Sequence, residues 1–175
     1  MRTGPPHQGP RQGIASASSE PSCTRVVFGG RLFFDNFLKL SIMMNWIITL
    51  KQKHAINIMA GKKTVELRTR VPLSLAPGDR VFVGIAGTKG SVAFSFRVSF
   101  IDTQAPLLIW SLYKNAMAIS AKTFWDYVAS HDKMTVIGVE DVKLLPLPRN
   151  VKEFGIGRCP QWFALSRNPY EAFGL

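Results

Sequence analysis

Between residues 91 and 102 the chain alternates strictly, with Val92, Phe94, Phe96, Val98 and Phe100 on one side and Ala93, Ser95, Arg97 and Ser99 on the other. A period of two marks a strand with one apolar face. A second alternation over residues 64–71 sets Thr64, Glu66, Arg68 and Arg70 against Val65, Leu67 and Val71. It predicts a strand with one polar face and one face turned to the core. Upstream, Asn45–Leu50 is rich in Trp, Ile and Thr and predicts a strand. Residues 51–60 predict a helix with Ala55, Ile56, Ile58 and Met59 on its apolar side and Gly61 as its stop. Pro72, Pro77 and the Gly78-Asp79 turn make residues 72–79 a loop, and a strand follows at 80–86. Two short helices fit residues 106–113 and 120–130, the second capped by Ser120. A strand at 134–145 and a short last strand at 162–165 complete an α+β order without internal repeats.

The pattern is absent from the first 25 residues, where Pro, Gly, Ser, Gln and Arg leave too little apolar surface to offset the entropy of ordering. Because Met43 and Met44 directly precede the first strand, residues 1–44 are read as a disordered extension or a non-native upstream segment, and residues 45–175 as one domain. The segment lacks the order of a signal peptide. Arg31, Asp35, Lys39 and Asn45 interrupt the apolar stretch before Leu50. No membrane-spanning helix is therefore predicted, and the protein is expected to be cytoplasmic. With 46% hydrophobic residues in 175, the composition is that of a globular chain.

Charge narrows the partners. The formal net charge is +11, and from Asn45 onward 17 basic side chains face 9 acidic ones, so the excess belongs to the domain itself. Such a field attracts phosphate, anionic lipid or acidic protein without choosing among them. Cys23 and Cys159 lack the paired spacing of a zinc site or a disulfide framework, so neither metal nor cofactor is predicted. His7 lies in the extension, His54 on the first helix in a solvated or helix-end role, and His131 just past a helix end; no catalytic triad is indicated. Cys159 reads as a small buried residue.

The chemistry concentrates in residues 61–68, where a helix ends and a strand begins. Glu66 and Arg68 project from one strand face, and Lys63 stands at the strand mouth near the negative end of the helix dipole. An Arg offers a planar fork, a Lys a compact cation or, when desolvated, a base, and a Glu an acceptor for base-edge donors or for a proton. That set suits a nucleotide. The plainer alternative is an ion pair between Glu66 and Arg68 on a solvated strand, worth about 0–1 kcal/mol, with Lys63 capping the helix.

The spacing Gly61, Lys63, Glu66, Arg68 resembles the Gly-x-Lys-x-x-Glu-x-Arg signature of the ASCH family, within the PUA-like superfamily. Pro77-Gly78-Asp79-Arg80-Val81 and Cys159-Pro160-Gln161-Trp162-Phe163 resemble two further family segments, so the likeness covers about 120 residues and nothing before Met44. The resemblance implies a small twisted β-barrel with short helices at its openings and a cleft walled by the motif strand and first helix. RNA or a modified nucleoside would occupy that cleft. Lys63, Glu66 and Arg68 would line it, Gly61 would allow the tight turn, Thr64 would add a hydroxyl, and Trp162 would offer a stacking face. Lys51, Lys53, Lys62, Lys89 and Arg97 would form a phosphate-facing rim.

One bacterial branch of the family hydrolyses the amide of acetylated cytidine, using the motif Lys, a Thr three residues later and a distant Glu. Here Glu66 occupies the Thr position, and no carboxylate lies between Asp102 and Asp126. An RNA- or nucleoside-binding, non-catalytic role is therefore expected. The alternatives are a hydrolase of a modified nucleoside or of RNA, with Lys63 and Glu66 as its catalytic pair, and a protein-interaction module.

Overall fold

A computed structural model of the chain describes residues 43–157 and 160–165. The expected extension up to residue 42, with His7 and Cys23, and also Cys159, lie outside the described residues.

The elements follow the predicted order: β1 (Asn45–Leu50), α1 (Gln52–Met59), β2 (Val65–Arg68), β3 (Arg80–Ile85), β4 (Ser91–Gln104), α2 (Pro106–Met117), α3 (Ala121–Val128), β5 (Met134–Asn150), a 3-10 turn at Val151–Phe154 and β6 (Phe163–Leu165). The strands form one mixed sheet in the order β2-β5-β4-β3-β1-β6, in which β1 and β3 run parallel and the other neighbours antiparallel. The fold is α+β. Among the described residues no ladder joins the edge strands β2 and β6, so closure into a barrel is not shown. Side chains nevertheless reach across: Arg68 on β2 donates through Nη2 to the Thr49 carbonyl on β1, and Trp162, beside β6, donates through Nε1 to the Arg70 carbonyl.

Two strands differ in length from the alternation. β2 ends at Arg68 because its partner runs out: Arg68 faces Thr135, one residue from the start of β5. β5 runs through Pro146 and Pro148 to Asn150 rather than stopping at Leu145. This stretch pairs only with β4, so prolines lacking an N–H leave no ladder bond unmade on its open side.

The core lies on both faces of the sheet. Trp46, Ile48, Val81, Val83, Phe94, Phe96 and Val98 pack with Ala55 and Ile58 of α1. Val65 and Leu67 of β2 pack with Ile109 and Met117 of α2 and Phe124 and Val128 of α3. Ile47, Phe82, Val92 and Leu145 form a third group with Val151 and Ile156. The predicted core residues Phe94, Phe96 and Phe124 are fully buried, while Phe100 and Trp110 pack partly buried at the second group. Asp79 fixes the start of β1, its carboxylate accepting from the Met44 and Ala76 backbone N–H groups and from Trp46 Nε1.

Among the described residues no helix is long and apolar enough to cross a membrane, and no three His, Cys, Asp or Glu side chains gather as metal ligands.

Candidate nucleoside-binding cleft

The turn after α1 aims the motif. Gly61 adopts φ +69°, a left-handed conformation that glycine takes without strain, and the N–H groups of Lys62 and Lys63 both donate to the Asn57 carbonyl. The chain thus reverses into β2 with Lys63 turned inward. Along β2, Val65 and Leu67 face α2 and α3, so the polar side of the strand faces the other core rather than water. Glu66 pairs with Ile137, itself part of the α1 core. The solvated-strand alternative therefore does not hold: side-chain exposure is 2% for Lys63, 7% for Glu66 and 13% for Arg68.

These three groups hold one another. Lys63 Nζ lies 3.4 Å from Glu66 Oε2 and donates at 3.1 Å to the carbonyl of Met117, the last residue of α2. The lysine thus complements the negative end of α2, not that of the helix preceding it in sequence. Arg68 Nε lies 3.2 Å from Glu66 Oε1, an ion contact without the alignment of a hydrogen bond, and Nη2 donates to Thr49. Burial pushes the Lys63 pKa below its ordinary 10.5, a shift opposed by the Glu66 charge beside it.

The cluster forms one wall of a cavity of about 250 Å³, completed by Thr49, Leu50, Lys51 and His54 around the start of α1, and by Ile119, Thr123 and Tyr127 from α3 and the turn before it. Of the predicted site residues, Lys63, Glu66 and Arg68 come together in this wall. Gly61 is exposed and shapes the turn without lining the cavity. Thr64 is exposed, its backbone held by Ala116 and Val139. Trp162 stands behind Arg68, with its ring centroid 5.8 Å from the guanidinium carbon and edge-on to Trp46 at 6.2 Å. Its indole N–H is occupied by Arg70. Trp162 therefore braces the arginine and does not line the cavity.

His54 was expected in a solvated or helix-end role; instead it is half-buried in the cavity wall, with Nδ1 sealed from solvent and without a hydrogen-bond partner. Burial first, and then the charge of Lys63, lower its pKa below 6.5. Tyr127 and Thr123 were also not anticipated. Their i, i+4 spacing puts them on one side of α3, a signal present in the sequence but carrying no hint of what that side would face.

No family model matches the chain. A curated ASCH domain-containing ribonuclease of Zymomonas mobilis is 27% identical over 95 residues, which is 54% of this chain and 64% of that relative, so the match spans less than two thirds of the relative's length. The crystal structure of ASCH from Zymomonas mobilis superposes with a TM-score of 0.67 at 25% identity, covering 73% of this chain and 92% of the other. A single-residue variant of that protein superposes at 0.65 with 26% identity, covering 70% and 91%. With this fold, and with Gly61, Lys63, Glu66 and Arg68 at the signature spacing, the chain is similar in sequence and structure to the ASCH family of PUA-like domains.

Proposed function

We propose that this ASCH-like protein binds RNA or a nucleoside in the cleft walled by Lys63, Glu66 and Arg68. The observation that carries the reading is the burial of three charges against a cavity. Removing such groups from water costs several kcal/mol per ion, and well-packed apolar residues would often serve stability as well or better. Stability thus gives little reason for the cluster, whereas a polar ligand seated against it does. The domain's basic excess supports a phosphate-bearing partner. In the same reading the sheet is a PUA-type barrel with its seam between β2 and β6, bridged by Arg68 and Trp162.

The test is titration of the full chain with ribonucleosides and short RNAs beside Lys63→Met and Glu66→Gln, with the ligands analysed afterwards. Binding that weakens with salt and is lost in both variants supports the reading. Binding indifferent to both variants overturns it.

RNA cleavage is a second reading, favoured by the name of the Zymomonas relative and by the lowered Lys63 pKa, which brings the amine closer to serving as a base at neutral pH. Lys63 and Glu66 would be its catalytic pair. Shortened RNA in the recovered ligand, absent with Lys63→Met, would establish turnover.

A further inference from the structure

The charged wall of the cleft is largely engaged with itself and with the carbonyls of Met117 and Thr49. A ligand finds few free groups there. The wall made by α1 and α3 differs. His54 lines it with neither ring nitrogen hydrogen-bonded among the described residues, and its Nδ1 is sealed from water. Tyr127 lines it with 44% of its surface exposed, outside the ring contacts that join Trp110, Phe124 and Trp125.

We infer that His54 and Tyr127 form the base-recognising side of the cleft, Tyr127 supplying the stacking face and His54 a hydrogen bond to an acceptor on the edge of a nucleobase. The inference rests on the nucleoside-binding reading and assigns, within it, the groups that read the base. An aromatic ring left open at the mouth of a cavity presents a face on which any base can stack. A sealed Nδ1 is tolerated better as a bare lone pair than as an N–H without an acceptor, which places the proton of the neutral imidazole on Nε2 and makes that atom a donor. A site offering one donor in this way favours a base with a carbonyl oxygen or ring nitrogen in reach, and discriminates against one that leaves the donor unpaired. Burial and Lys63, with smaller contributions from Lys51 and Lys53, outweigh the opposing charge of Glu66 and hold the His54 pKa below its ordinary 6.5, which favours the neutral imidazole.

The experiment titrates the full chain with each of the four ribonucleosides and the matching short homopolymer RNAs, using Tyr127→Phe, Tyr127→Ala, His54→Gln and His54→Ala, with thermal melts to verify folding. Tyr127→Phe is expected to bind within about twofold of the parent, and Tyr127→Ala to bind about 5- to 150-fold more weakly, the range of one base–aromatic stack. His54→Ala should narrow the differences among the nucleosides, and His54→Gln, which keeps an N–H donor, should restore part of them. If Tyr127→Ala and His54→Ala bind every ligand like the parent while Lys63→Met still abolishes binding, this assignment is overturned and the nucleoside reading stands. No binding of any nucleoside or RNA by the parent overturns both.

Discussion

Glu66 contacts Lys63 through one carboxylate oxygen and Arg68 through the other, so a single negative charge is shared between two cations inside the fold. Glu66→Gln leaves both without their counter-charge and is expected to lower the unfolding free energy by about 3–5 kcal/mol, the usual cost of breaking a buried pair from one side. Urea denaturation measures it. Adding Lys63→Met to that variant should recover part of the loss, and a double-mutant cycle gives the coupling. His54 makes a separate contribution to pH dependence. Its folded pKa lies below its unfolded 6.5, so the unfolded chain binds the proton first, and the stability present above pH 6.5 is lost as pH falls through the folded value. Thermal melts between pH 7.5 and 5 should show that fall, and His54→Gln should flatten it. The charged trio was legible in the sequence from spacing and family signature. Its burial was not, because alternation along β2 distinguishes its two faces without telling which buried surface each will meet.

At the scale of the elements, the ladder between β2 and β5 depends on Gly138, which faces Val65. A Cβ built there would lie 2.2 Å from Ser99 Oγ and 2.4 Å from the Phe100 ring, where β4 slips its register against β5. Gly138→Ala is therefore expected to destabilise by about 1–3 kcal/mol through overpacking, read by denaturant midpoint, and to loosen the strand carrying Glu66. Ala118 offers the opposite case. It ends α2 at φ +51°, in the left-handed region that disfavours a side chain. Ala118→Gly is expected to stabilise the chain by a few tenths to about 1 kcal/mol, the loss of backbone strain being offset in part by the freer unfolded chain. Most element positions could be read from periodicity and punctuation. The extension of β5 through two prolines could not, since only the absence of a second neighbour strand makes them harmless.

For the whole molecule, the basic excess bears on affinity for RNA rather than on fold. Under the proposed function, log affinity for a short RNA is expected to fall linearly with log salt, with a slope of about −0.7 per phosphate neutralised, whereas a single uncharged nucleoside should show little dependence. Titrations at several salt concentrations compare the two. The sequence by itself determined the α+β order, the residues of the main core and the convergence of Lys63, Glu66 and Arg68, because hydrophobic periodicity and residue spacing are local properties carried along the chain. Only the tertiary structure decided that this trio is buried, that Lys63 serves the end of α2, that Trp162 braces Arg68, and that His54 and Tyr127 line the same cavity. Those outcomes depend on contacts between segments up to 92 residues apart, and which segments meet is set by how the sheet and its helices pack, not by any pattern that one segment carries alone.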